Sequence, residues 1–261
     1  MNFEQKYLKY KEKYVELQKN TNMRGGKQDI YVIGVAGGSG CGKSQYAHVL
    51  KHYLLREIPS LAGKIEVMSG DDYYKPYPGG GKAPPDFNWD IPSVIDLPYL
   101  ATQVDALKNR KESVVIPKYN FNTSQRDPSE RTINGATIKV LIIEGLYILY
   151  DPTLRNLFDL KIFTLAENEI CLSRRLGRDY EERNGNRDAS KGAVTWPVLE
   201  MKQFTEQTIN QYVKKVKPSY EQYIEPTRSE ADIIIYTNTD YTERKLKTFK
   251  LIKEDIIENL N

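Results

Sequence analysis

Eight consecutive residues carry the clearest chemistry in this chain: Gly37-Gly38-Ser39-Gly40-Cys41-Gly42-Lys43-Ser44. They fit G-x-x-x-x-G-K-[ST], the pattern of a loop that cradles a nucleotide's phosphates. Glycine reaches backbone conformations closed to residues with a Cβ, so successive N–H groups can converge on phosphate oxygens. A lysine in the position of Lys43 reaches the β- and γ-phosphates, and a hydroxyl in the position of Ser44 ligates Mg²⁺. The loop lies between an apolar run and a helical pattern that starts at Lys43, so the positive end of the helix dipole faces the same anion. ATP and Mg²⁺ are the cofactors this pattern predicts. Cys41 reads as a small filler of the loop, with no resolving thiol in its vicinity, and Cys171 falls in an unrelated context.

Carboxylates supply the second kind of chemistry. Asp71-Asp72 follows an apolar run ending at Met68 and is either a helix cap in a turn or a pair at a ligand-binding edge. Glu144 ends the apolar run Val140-Leu141-Ile142-Ile143, where an acid holds Mg²⁺ beside a phosphate loop. Arg174, Arg175, Arg178 and Arg183 cluster on a predicted helix. They form either a solvated basic face paired with Glu181 and Glu182 or a lid over phosphates. His48 and His52, the only histidines, fall on the helix after the loop and read as packing or surface residues.

Loop and carboxylates must be lined up along one edge, and the periodicity says by what. Residues 30–36, 64–68, 140–143, 159–164 and 232–236 read as buried strands; residues 43–57, 94–110, 167–183, 198–223 and 243–260 read as helices between or after them. That alternation predicts an α/β fold with a mainly parallel sheet and helices on both faces. Residues 113–116 and 131–138 predict an appended hairpin.

Residues 1–28 form a separate leader. Phe3, Tyr7, Tyr10, Tyr14 and Leu17 make one apolar seam of an amphipathic helix, which packs on the body or on a second copy, or docks on a partner or membrane surface. Seven bases and three acids give this segment a net charge of +4 and leave −1 for residues 29–261. The body is nearly neutral, which argues against a nucleic-acid partner. No apolar run reaches the roughly 18–20 residues of a membrane span, and the N-terminus lacks the apolar core of a secretory signal. With two cysteines among 261 residues, the expectation is a cytoplasmic, reducing location.

Further motifs follow in order: Asp71-Asp72-Tyr73-Tyr74, Asn88-Trp89-Asp90-Ile91-Pro92, Pro117-Lys118-Tyr119-Asn120-Phe121, Glu144-Gly145, Ser173 to Asp179, Lys217-Pro218 and Pro226-Thr227-Arg228. Together with the phosphate loop they resemble the uridine–cytidine kinases, P-loop nucleoside kinases of pyrimidine salvage, over residues 30–240. The resemblance implies a P-loop NTPase-type fold with a helical lid at about 174–205, and ATP- and Mg²⁺-dependent phosphorylation of the 5′-hydroxyl of uridine or cytidine. It implies Asp71 as the base, Asp90 on the ribose hydroxyls, and Tyr119 and Tyr74 against the nucleoside base. Arg175 and Arg178 take lid positions, Gln211 faces the substrate, and Asp240 lies near the ATP base. It also implies homo-oligomers. The lysine- and tyrosine-rich leader, outside this match, resembles segments of giant-virus proteins.

The chain departs from the family in two places. Ser124 and Gln125 stand where the family has a histidine against the pyrimidine, and the segment between Arg187 and Gln211 is longer. Two alternatives follow. One is a P-loop kinase of another small alcohol, similar to nicotinamide riboside kinase, pantothenate kinase or phosphoribulokinase. The other is a nucleotide-binding module without turnover.

Overall fold

The computed structural model describes residues 30–84, 86–185, 198–238 and 242–260. The leader, residues 1–28, lies outside this set, as does Asp240. Among the described residues are seven strands: β1 (Tyr31–Gly37), β2 (Ile65–Ser69), β3 (Val114–Asn120), β4 (Gln125–Ile133), β5 (Val140–Gly145), β6 (Leu160–Leu165) and β7 (Ile233–Tyr236). Five of them form a parallel sheet in the order β2-β5-β1-β6-β7. The longer helices are α1 (Lys43–Glu57), α2 (Leu97–Lys108), α3 (Asn168–Gly185), α4 (Val198–Gln211) and α5 (Thr242–Leu260). None of the described helices is long and apolar enough to cross a membrane.

The apolar strand sequences follow from burial on both faces. Every residue of β1 is buried. Side chains alternate along a strand, so Tyr31, Ile33 and Val35 pack with Leu50 and Leu54 of α1 and with Phe249, Ile252 and Ile256 of α5. Val32 and Ala36 join the opposite core, with Leu100, Val104 and Leu107 of α2. Two helical layers thus fix the central strand from above and below, and the loop that leaves its C-terminal end inherits that rigidity.

The strand positions expected from the sequence hold to within a residue or two. The hairpin differs. Its two strands take up much of the polar stretch between the expected ones, and β4 ends at Ile133 rather than 138. It forms its own two-stranded antiparallel sheet, outside the five-stranded one. The pairing register shifts between Ile116 and Lys118, around Pro117, which has no N–H to give the ladder. Gln103 on α2 ties the hairpin down: its amide donates to the Val115 carbonyl at 2.6 Å and its oxygen accepts from the Tyr73 hydroxyl at 2.8 Å.

Two helices also differ from expectation. The one expected from residue 94 starts at Leu97, because Asp96 caps it by accepting from the Tyr99 N–H at 3.3 Å, while Pro92–Val94 forms a separate 3₁₀ turn. The one expected over 198–223 is α4 continued by π-helical turns at Tyr212–Val216 and Tyr220–Ile224. Pro218 sits between these turns and cannot donate to a regular ladder.

Candidate active site

The described phosphate loop, carboxylates and cleft residues converge on the C-terminal edge of the five-stranded sheet, where ligands bind in open α/β folds. The phosphate loop joins β1 to α1. Gly40 and Gly42 both sit at φ +78°, a left-handed backbone that a side chain would strain. At Gly40 a Cβ would also lie 2.3 Å from the Cys171 carbonyl oxygen. Gly42 is the N-cap of α1 and has no side chain to cap it, so the first N–H groups of the helix are left for an anion. Lys43 bends back over the loop, its Nζ donating to the Gly38 carbonyl at 3.0 Å. The Cys41 N–H closes the loop's own turn on the Gly38 carbonyl at 3.2 Å, and its carbonyl accepts from the Thr237 hydroxyl at 3.0 Å.

β2 and β5 bring the carboxylates alongside. Asp71 lies in the 3₁₀ turn Gly70–Tyr73, and its N–H donates to Ser69 Oγ at 3.3 Å. The same Ser69 hydroxyl donates to Glu144 Oε1 at 2.7 Å. Burial pushes the Asp71 carboxyl up to about 6; the neighbouring Glu144 carboxylate adds to the rise, and Lys43 and Arg178 oppose it. A carboxyl raised this far at a ligand-binding edge marks Asp71 as a candidate functional group.

Beside these groups opens a cleft of about 500 Å³. It is lined by Ser39, Asp71, Tyr74, Asp90, Tyr119, Ser124, Arg175, Arg178 and Gln211, so the expected substrate-side residues share one cavity with a residue of the phosphate loop. Its aromatic wall is tightly knit: the Tyr74 ring lies 5.4 Å from Tyr119, 5.8 Å from Trp89 and 5.6 Å from Phe121. Trp89 and Phe121 join this wall beyond the expected residues; each lies within two positions of one of them, Asp90 and Tyr119. Asp90 is buried, and among the described residues its Oδ2 has no hydrogen-bond partner. Burial raises its carboxyl pKa, against the pull of Arg175 and Lys215. A buried carboxylate oxygen without a partner, on a residue that lines the cleft, is a candidate acceptor for a hydroxyl donor.

α3 and α4 contribute the opposite wall. Arg175 donates to Ser39 Oγ at 2.9 Å and to Gln211 Oε1 at 3.3 Å, linking the two helices to the phosphate loop. Arg178 pairs with Asp179 at 2.7 Å, with half of its side chain exposed. Arg174 differs from the lid reading. It donates to Gly40, to the Thr237 hydroxyl and to the Thr237 carbonyl, and so staples the phosphate loop to the end of β7. The side chain of Arg183 and residues 186–197 of the expected lid lie outside the described residues. His48 and His52 are exposed on α1.

Of the pair replacing the family histidine, only Ser124 lines the cleft. Its left-handed backbone, φ +55°, turns the next residue outward, and Gln125 donates to the Gly81 carbonyl at 2.9 Å.

The donor set suits a triphosphate with a hard cation. The uncapped start of α1, the left-handed glycines and Lys43 supply the anion site. Ser44 is exposed, and the Glu144 carboxylate stands beside Asp71, whose pKa is raised first by burial and then by that neighbouring charge, which a divalent cation would offset.

Comparison with known proteins gives the chain's kinship and fold. The family model described as phosphoribulokinase/uridine kinase matches residues 32–199. A uridine kinase of Lactobacillus helveticus is 34% identical over 217 residues, 82% of this chain and 89% of that protein. A uridine kinase of Schizosaccharomyces pombe is 34% identical over 81% of this chain and 41% of its own, longer one. Among solved structures, a possible uridine kinase from Bacillus stearothermophilus superposes with TM-score 0.52 at 17% identity, covering 84% of this chain and 96% of that one. D-glycerate 3-kinase from Cryptococcus neoformans gives TM-score 0.55 at 16% identity, over 88% and 94%. These two establish a common fold. The family match and the sequence identities establish kinship: the chain belongs to the phosphoribulokinase/uridine kinase family.

Proposed function

We propose that this protein transfers the γ-phosphoryl group of ATP to the 5′-hydroxyl of a pyrimidine nucleoside, uridine or cytidine. The observation that carries the reading is the single cleft in which Asp71, Asp90, Arg175 and Arg178 meet an aromatic wall beside the phosphate loop. Its volume of about 500 Å³ suits a small ligand.

The roles follow from position. Gly37 to Gly42 and the first turn of α1 hold the triphosphate, and Lys43 swings from the Gly38 carbonyl to the β/γ-phosphates. Ser44 and Glu144 would hold Mg²⁺, which when bound neutralises charge on the phosphates. Asp90 accepts from the ribose hydroxyls with its unsatisfied oxygen, and this fixes the sugar. Tyr74 and Tyr119 confine the base, whose polar edge meets the Ser124 hydroxyl, a group that both donates and accepts. Asp71 orients the 5′-hydroxyl and takes its proton as the oxygen closes on the γ-phosphorus. The transition state of phosphoryl transfer is loose, so alignment and charge compensation by Lys43 and Arg178 outweigh basicity.

An acceptor panel tests this directly. Purified protein with ATP and Mg²⁺ is expected to convert uridine and cytidine to their 5′-monophosphates and to release ADP only when a nucleoside is present. Turnover confined to a non-nucleoside alcohol would move the acceptor assignment elsewhere in the family. ATP binding without any acceptor-dependent ADP release would reduce the protein to a nucleotide-binding module.

A further inference from the structure

The fold corrects one expectation outright: Cys41 and Cys171, 130 positions apart, are neighbours. Cys41 is in the phosphate loop and Cys171 in the first turn of α3. Their Sγ atoms lie 3.0 Å apart, within a thiol–thiolate hydrogen bond. Closing that gap to a disulfide bond of about 2.05 Å takes roughly 1 Å of movement. Both residues are almost fully buried, but a cleft of about 20 Å³, lined by Cys41, Cys171, Gly38, Tyr212 and Tyr220, reaches them.

The pair is chemically asymmetric. Lys43 lies on the Cys41 side of the pair, and its charge together with the shared hydrogen bond favours the thiolate at Cys41, leaving the proton on Cys171. One thiolate nucleophile faces one protonated partner, the division of labour of an attacking and a resolving cysteine.

We infer that Cys41 and Cys171 form an oxidation site for peroxide-class oxidants, whose disulfide ties the phosphate loop to α3 and weakens nucleotide binding. In the first step the Cys41 thiolate attacks one peroxide oxygen. The O–O bond breaks, Cys41 becomes a sulfenic acid, and the departing hydroxide takes up a proton to become water. In the second, the Cys171 sulfur attacks the Cys41 sulfur. The S–O bond breaks, and the hydroxyl leaves as water with the proton from Cys171. Two thiols lose two electrons in total, and one peroxide is reduced to two waters.

The effect on nucleotide follows from the packing of the loop. Gly40 already touches the Cys171 backbone so closely that a Cβ there would lie 2.3 Å from its carbonyl oxygen, so the loop cannot slide bodily toward α3. The proposed consequence is that drawing the Cys41 sulfur toward Cys171 pulls on the short segment between the left-handed Gly40 and Gly42 and turns N–H groups of the cradle away from a bound phosphate.

The test uses the full chain, reduced and then treated with hydrogen peroxide. Peptide mapping is expected to show a Cys41–Cys171 cross-link and the loss of both alkylatable thiols. The affinity for a fluorescent ATP analogue is expected to fall about tenfold, equivalent to about 1.4 kcal/mol, and to recover with dithiothreitol. Cys171→Ser is expected to bind the analogue as the unmodified protein does, and to accumulate sulfenic or sulfinic acid at Cys41 with no cross-link. Two alkylatable thiols persisting after treatment would overturn the inference, as would a cross-linked protein that binds the analogue as well as the reduced one. The cross-link is read by mass, independently of any acceptor. A reduced protein that fails to bind the analogue would refute the nucleotide reading and this proposed consequence together, while leaving the cross-link itself to stand or fall by mass.

Discussion

Asp71→Asn is expected to slow nucleoside phosphorylation by about 10²–10⁴-fold, the usual weight of a positioned general base, while ATP-analogue affinity stays within a few-fold. The asparagine keeps the shape and one acceptor oxygen but cannot accept the proton released as the 5′-oxygen attacks. The same substitution is expected to stabilise the nucleotide-free protein. Folding raises the Asp71 carboxyl from 3.8 to about 6, so above pH 6 the ionised group opposes the fold. A neutral side chain removes that opposition, a gain of about 1–3 kcal/mol at pH 7.5. The sign sets the pH window. The gain is full above about pH 6, shrinks as the wild-type carboxyl takes up its proton, and vanishes below about pH 4. Steady-state kinetics with denaturant titrations at pH 7.5 and pH 4 check both halves. A variant with wild-type turnover, or one no more stable at pH 7.5 than wild type, would show that Asp71 is not a strained catalytic carboxylate.

Arg178→Ala is expected to lower kcat by about 10³-fold or more, as removal of an arginine acting on a transferring phosphoryl group does. Arg178 lines the cleft with half of its side chain exposed, while Asp179, which it pairs with at 2.7 Å, also pairs with Arg175 at 3.5 Å. Arg178→Lys is expected to restore only part of the loss, since an ammonium lacks the planar fork. Arg174→Ala serves as the contrast. It unfastens the phosphate loop from Thr237, so its effect is expected in ATP affinity and thermal stability more than in kcat. Turnover of Arg178→Ala within a few-fold of wild type would remove this arginine from the reaction.

The parts of the site that were legible in the sequence are those whose chemistry is local. The phosphate loop is contiguous, and glycine, lysine and serine at fixed offsets have one joint use. Asp71 and Glu144 were legible because each lies at the C-terminal end of a strand, Asp71 two residues past β2 and Glu144 next to last in β5, and strand ends in a parallel sheet share an edge. Non-local features escaped. Cys171 stands 130 residues from Cys41, and only the docking of α3 on the loop makes them a pair. Arg174 and Arg178 sit one helical turn apart in the same cluster, yet one is structural and the other faces the cleft; composition cannot separate them. Ser124 and Gln125 were equivalent on paper until a single left-handed residue decided which faced inward. The π-helical turns after α4 arise from accommodating Pro218 within a packed helix, which a periodicity count reads as uninterrupted.

The separateness of the β3–β4 hairpin has an evolutionary corollary. Tyr119, Phe121 and Ser124 ride on a ribbon whose ladder never joins the five-stranded sheet, whereas the phosphate loop, Asp71 and Glu144 are anchored to three adjacent strands of it. Selection can therefore recut the glove that fits the acceptor while leaving the engine that moves the phosphoryl group untouched. Descendants of one ancestor can thus diverge in diet and keep a shared metabolism of phosphate.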